Sequence, residues 1–172
     1  MGSLFLVLTA WIMCASAPAD LPIPVGDRKQ LFIDHRFIAE SQGIELRVNP
    51  PVKRLDGFIS ADAPYAQEGW LTTPLITFSG RRLELNLDCG ALGEARVELR
   101  GQNNLPIQQF AAADCDLVRG NHLRYVVRWR GKDDLAGLAG RPVRLHFRLR
   151  NAKLYAFQFP SNTSTRLTRS DS

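Results

Sequence analysis

The sequence predicts an all-β fold: an antiparallel, jelly-roll-like β-sandwich of about eight strands. Three observations support this prediction. Apolar and polar residues alternate with a period of two in short segments between residues 57 and 159. Turn-forming pairs such as Ser79-Gly80 separate these segments, and no segment has the longer apolar period of a helix. Such alternation places one face of each strand on a core and the other face in water.

The clearest segment is 143–149, in which Val143, Leu145, Phe147 and Leu149 are predicted to face inward. His146 and the arginines beside it are then predicted to lie on the solvated face. In segment 123–130 the same alternation places four residues on the core face: Leu123, Tyr125, Val127 and Trp129. The other predicted strands are 57–60, 71–78 (interrupted by Pro74, which favours an edge or a bulge), 82–87, 95–100, 107–110 and 153–159.

The 172 residues suffice for one domain with short appendages. We predict a signal peptide over residues 1–19 and a Pro-rich, extended N-terminal arm over 20–55, with one short strand within 31–38. The sandwich domain is predicted to span 56–160. A Ser/Thr-rich tail, predicted to be disordered, follows over 161–172.

The leader is an apolar run over residues 4–17 that has the length of a signal-peptide core and is short for a membrane span. Two small-x-small cleavage patterns follow it, Ala15-Ser16-Ala17 and Ala17-Pro18-Ala19. No Lys or Arg precedes the run, which is unusual for a signal peptide. The leader predicts export to the periplasm or the extracellular space of a bacterium.

The chain is basic, with a formal net charge of +5 and a pI near 9.5. The arginines are spread at alternate positions along predicted strands, and no basic cluster or aromatic-basic motif is present. This distribution is typical of a solvated sheet face. We therefore expect no nucleic-acid partner, and no membrane association after removal of the leader.

Cys14 lies in the predicted leader, which leaves Cys89 and Cys115 in the mature chain. In an exported protein these two residues can form a disulfide, or they can pack as two separate buried thiols. Three histidines, His35, His122 and His146, are far apart in sequence and lack metal-ligand spacing. We predict no metal site and no cofactor.

Two groups of residues are candidates for chemistry. Asp114 and Asp116, with Asp88 nearby if the two cysteines approach each other, have the residue type of an acid–base pair or a calcium site. Adjacent loop aspartates more often cap turns, and we favour that interpretation. Tyr65 and Trp70, predicted to lie in a loop between strands, are the candidate sugar-stacking residues.

Two segments resemble a known family. LFIDHRFIAESQGIELRVNPPVKR (31–54) is similar to the opening of secreted bacterial proteins related to glycosyl hydrolase family 32. Residues 56–159, ending in VVRWRGKDDLAGLAGRPVRLHFRLRNAKLYAFQF, resemble their C-terminal β-sandwich. The resemblance implies a five-bladed propeller between the two pieces, but Arg54 runs almost directly into Asp56-Gly57. No catalytic residue of the family can be carried over, and His35 stands where the family often has an acidic residue.

The expected function is therefore a non-catalytic exported module, structural or carbohydrate-associated, which resembles an internally deleted member of this family. Its expected partners are a carbohydrate, or another protein chain bound through the surface that would face the propeller. Two alternatives remain open: a glycoside hydrolase by family association, and a protein–protein interaction module.

Overall fold

The structure is a computed structural model that describes residues 21–47, 58–60 and 68–161. The predicted leader, Tyr65 and most of the predicted tail lie outside these ranges. The described chain is all-β and forms an antiparallel β-sandwich, which confirms the predicted fold class. It contains ten strands rather than about eight: β1 (Ile23–Gly26), β2 (Gln30–Leu31), β3 (Glu40–Gln42), β4 (Glu45–Arg47), β5 (Phe58–Ser60), β6 (Glu68–Thr72), β7 (Ile76–Phe78), β8 (Glu84–Arg100), β9 (Gly120–Val126) and β10 (Arg144–Gln158).

Strand β10 is the centre of the main sheet. Along one edge it pairs with β8, and along the other it pairs in turn with β6, β5 and β2, always antiparallel. The sheet extends outward through β9 next to β8, β3 next to β6, and β4 next to β5. Strands β1 and β7 form a separate parallel pair. Two short 3-10 helices, His35–Phe37 and Ala136–Leu138, complete the described elements, and no helix among the described residues is long and apolar enough to cross a membrane.

The sequence predicted β8 and β10 as four separate strands, whereas each is one long strand. The reason is that the antiparallel ladder between them continues across the predicted breaks. The Gly-rich segment forms a bulge in this ladder: residues 90–93 of β8 lie opposite the single residue Asn151 of β10. Bulges bend the strands that carry them, and both halves of each long strand contribute side chains to one core.

The N-terminal arm is an integral part of this core over its described residues. It supplies strands β1 to β4, where the sequence predicted one short strand. Phe32 and Phe37 are buried, and the ring of Phe32 lies 6.3 Å from that of Phe147 and 5.6 Å from that of Phe157. The Pro-rich composition of the arm suggested a segment without strands, but short edge strands tolerate proline. The strands with which the arm pairs lie far away in sequence, so the pairing could not be predicted.

Two further predictions were wrong. Leu123 was expected in the core but is 76% exposed, because a register shift in β9 between the partners of Leu85 and Leu87 reverses the alternation there. Val127 and Trp129 are buried as predicted, although β9 ends at Val126. Residues 107–110 form a turn rather than a strand, in which the Phe110 N–H donates to the Ile107 carbonyl oxygen at 3.0 Å.

The bulge predicts a stability effect at Gly93. A Cβ atom added to this residue would collide with the backbone carbonyl oxygen of Asn151, which cannot move without disturbing β10. We expect Gly93→Ala to lower the free energy of unfolding by about 1–3 kcal/mol, the usual cost of overpacking. Gly137→Ala is the matched control, since a Cβ atom added there would have no neighbour within 4 Å. Urea unfolding followed by circular dichroism measures both, and equal stability of the two variants would contradict the register of the bulge.

Candidate functional site

The outer face of the sheet carries a groove of about 440 Å³. The register between β6 and β10 brings the lining residues together: Trp70 lies opposite Arg148, and Thr72 lies opposite His146. Directly paired residues of antiparallel strands project to the same face of the sheet. The residues lining the groove come from strands β6, β8 and β10: Glu68, Gly69, Trp70, Arg100, His146 and Arg148.

Trp70 forms one wall of the groove. The sequence placed it in a loop, but it lies in β6, between β3 on one side and β10 on the other. Its Nε1–H donates to Gln42 Oε1 at 3.1 Å, and its ring centroid lies 5.5 Å from that of His146 with the planes tilted by 37°. The indole is half-buried and its polar edge is satisfied, so its orientation in the groove is fixed.

Gly69 explains how β3 and β6 approach each other beside Trp70. A Cβ atom on Gly69 would lie 2.6 Å from the Gly43 carbonyl oxygen, so only glycine allows this approach. Gly43 itself has a φ of 66°, in the left-handed region that glycine tolerates. The turn at Gly43 thus brings Gln42 to the edge of the indole.

His146 was predicted to be solvated, and this prediction is wrong: the residue is only 5% exposed. A hydrogen bond of 2.9 Å joins its Nδ1 to Thr72 Oγ1, and Thr72 is itself buried. His146 does lie on the outer face of β10, as the alternation indicated. It is buried because the indole of Trp70 and the side chains of β8 on the other side crowd it, which a single strand pattern cannot show.

Glu98 and Arg100 form the other flank of His146. Arg100 Nε–H donates to Glu98 Oε1 at 2.6 Å, and the Ala112 N–H donates to Glu98 Oε2 at 3.0 Å. Burial acts to raise the pKa of Glu98, but the hydrogen bond from Ala112 and the Arg100 guanidinium outweigh it and hold the pKa below its usual value. Glu98 is therefore an ionised carboxylate with both oxygens occupied.

Burial lowers the pKa of His146 to about 4, and the positive charges of Arg100 and Arg148 act in the same direction. The negative charge of Glu98 opposes them without reversing the shift. At neutral pH the imidazole is therefore uncharged, and it serves as a polar floor of the groove rather than as a cation.

The remaining sequence candidates lie elsewhere. Asp114 forms an ion pair with Arg130 at 2.6 Å, and Asp116 Oδ2 accepts a hydrogen bond from the Gly131 N–H at 3.0 Å. Both side chains therefore join their loop to residues 130–131 instead of capping a turn within it. Among the described residues, no group of three His, Cys, Asp or Glu side chains is arranged to hold a metal ion. His122 Nε2 is hydrogen-bonded to the Arg119 carbonyl oxygen at 2.7 Å, outside the groove.

Cys89 and Cys115 are free thiols in this structure, and each is buried at its own place, so the disulfide left open by the sequence is not formed. Cys115 Sγ accepts from the Val97 N–H at 3.2 Å, while Cys89 Sγ donates to the Val118 carbonyl oxygen at 3.7 Å. Burial raises the pKa of both thiols to about 11, which makes them unreactive at neutral pH.

Sequence reasoning selected Trp70 but missed the side chains around it: Glu68, Glu98, Arg100, His146 and Arg148. The outward positions of Glu98, Arg100, His146 and Arg148 were readable from the alternation in the predicted strands 95–100 and 143–149, whereas Glu68 lay outside every predicted strand. The sequence does not show which strands pair, because paired residues lie far apart along the chain: Thr72 and His146 are separated by 74 in residue number.

The depressed pKa of His146 predicts a pH dependence of stability. Below pH 6.5 the unfolded chain takes up a proton at this histidine, whereas the folded chain does so only near pH 4. Stability is therefore full above pH 6.5 and falls as the pH drops toward 4, by about 3 kcal/mol at most from this group. Urea titrations across this range should show that His146→Gln lacks this part of the loss, while His35→Gln, at an exposed position, retains it. Parallel curves for the two variants would contradict the burial of a neutral imidazole.

No family model matches the sequence, and no curated protein matches it significantly. Among solved structures, the chain is similar to a glycoside hydrolase family 43 arabinoxylan arabinofuranohydrolase from Bacillus subtilis in complex with cellotetraose. The similarity covers 82% of this chain but only 28% of that chain, with 11% sequence identity and a TM-score of 0.48. This is a loose likeness of fold to part of a glycoside hydrolase, and it is not evidence for a shared activity or ligand.

Proposed function

We propose that this protein is a non-catalytic, exported β-sandwich module that binds carbohydrate in the groove beside Trp70. The observation that carries the proposal is an indole held in place at the wall of a 440 Å³ groove whose other lining side chains are charged or polar. Ligand sites of this kind combine an apolar surface with a few fixed polar groups. A sugar ring offers both an apolar face and hydroxyl groups, and so matches such a lining.

The groove supports binding rather than hydrolysis. Most glycosidases need two carboxyl groups on either side of the scissile bond, one of them protonated. Among the described residues that line the groove, Glu68 is the one carboxylate. Glu98 is close by, but it is only 5% exposed and both its oxygens accept hydrogen bonds. It therefore lacks the free, protonated oxygen that a general acid requires.

Export is proposed on the leader pattern over residues 4–17 with its small-residue cleavage sites. The resemblance of residues 31–54 and 56–159 to proteins related to glycosyl hydrolase family 32 supports a carbohydrate association. In that comparison this chain would be a member without the propeller. The sandwich would then act through its own surface.

A protein–protein interaction module is the second candidate, favoured by exposed apolar side chains on the other half of the sheet. Leu123 on β9 is 76% exposed, and Ile33, just after β2, is 52% exposed. Leu123 lines a small cleft together with Phe157 of β10. These side chains lie apart from the residues that line the Trp70 groove, so substitutions separate the two functions.

We expect Trp70→Ala to weaken oligosaccharide binding at least about tenfold, because truncation of a central aromatic side chain typically removes about 2 kcal/mol or more of binding free energy. Isothermal titration calorimetry against a panel of plant and bacterial oligosaccharides measures the effect. Leu123→Ala is the control, an apolar truncation outside the groove that should leave glycan affinity unchanged.

Flat titrations across the whole panel, with a folded protein, would contradict the proposal. So would binding that Trp70→Ala leaves unchanged. Turnover of chromogenic glycosides by the purified protein would overturn its non-catalytic part.

A further inference from the structure

The row of side chains that contains Trp70 carries positive charge without a carboxylate. Across the sheet this row reads Gln42 on β3, Trp70 on β6, Arg148 on β10 and Arg96 on β8. Arg148 is exposed and lines the groove directly opposite the indole in the ladder. The row therefore places a guanidinium beside an aromatic wall.

Two carboxylates of the neighbouring rows, Glu94 and Glu98, are engaged by other arginines. Glu98 pairs with Arg100 at 2.6 Å, and Glu94 pairs with Arg150 at 3.1 Å and with Arg119 at 3.4 Å. Glu68, the carboxylate of the groove, lies opposite Arg150 in the ladder. No ion pair among the described residues joins a carboxylate to Arg148.

Arg96 adds to the positive potential of the row. Its Nη1 donates to the carbonyl oxygens of Cys115 at 2.8 Å and Ala112 at 3.3 Å. These acceptors are neutral, so they fix the guanidinium without cancelling its charge.

We propose that the groove selects acidic glycans, with the ring of a uronic acid residue against Trp70 and its carboxylate bound by Arg148. This inference rests on the carbohydrate-binding function proposed above and names its ligand class. A planar guanidinium matches a carboxylate through two parallel N–H···O hydrogen bonds. Gln42 accepts from the indole through its amide oxygen, which leaves its amide nitrogen as a donor to a sugar hydroxyl on the same side.

The test compares each acidic oligosaccharide with its own methyl ester, which keeps the sugar rings and removes the charge. Calorimetry would use oligomers of galacturonate, glucuronate and mannuronate in acid and ester form, at low and at high salt. We expect at least one acid to bind about tenfold or more tightly than its ester, since a hydrogen bond to a charged group typically contributes at least this much. The preference should shrink as salt screens the charge.

Two variants assign the preference to its residue. Arg148→Gln should lower the affinity for the acid to about that of the ester, whereas Arg141→Gln removes an equal charge from an exposed position outside the groove and should leave the preference intact. A thermal melt by circular dichroism checks that both variants fold.

The possible outcomes distinguish the preference for acidic glycans from carbohydrate binding itself. Equal binding of acids and esters, abolished by Trp70→Ala, would overturn the acidic preference and leave carbohydrate binding standing. A preference that survives Arg148→Gln would overturn the assigned contact. Absence of binding to every acidic and neutral oligosaccharide tested would overturn both proposals together.

Discussion

The ladder between β8 and β10 is the constraint on which the rest of the structure depends. Its register assigns the inward side chains of both strands to one core, where Leu85, Leu99, Leu145 and Phe147 are almost fully buried. Each such side chain contributes roughly 1.5–3 kcal/mol through burial. A slip of one residue would turn these side chains to the outer face. The same register fixes which polar residues stand side by side on that face, so core and groove have a common origin.

The groove is built on a buried polar layer. Thr72, His146 and Glu98 lie in one row across three strands, and each is at most 5% exposed. Burial of polar groups is unfavourable unless they are hydrogen-bonded. The Thr72–His146 bond and the two hydrogen bonds to Glu98 meet this requirement. A neutral imidazole between an indole and an ion pair gives a rigid floor, so the walls of the groove need little rearrangement to receive a ligand.

The fold class could be predicted from the sequence because apolar and polar residues alternate with a period of two in the strands that form the core, most clearly in residues 143–149. The prediction for Leu123 was wrong because a bulge reverses the alternation there. Strands β8 and β10 were each predicted as two strands because a Gly-rich segment resembles a turn when its partner strand is not known. Trp70 was selected as an aromatic residue in a predicted loop, although it lies in β6. Its neighbours Arg148 and His146 were predicted to be ordinary solvated side chains, because only long-range pairing shows that they stand beside an aromatic wall.

A glycan site on the face bearing Trp70 is tested most directly by an NMR titration of the tryptophan indole N–H signals with acidic and neutral oligosaccharides. The Trp70 indole donates to Gln42 at the groove, whereas the Trp129 indole donates to the Val97 carbonyl oxygen in the core. We expect a saturable shift of the Trp70 signal with at least one oligosaccharide, while the Trp129 signal does not move. A Trp70 signal that no oligosaccharide of the panel shifts, or equal shifts of both signals, would show that the groove is not a glycan site.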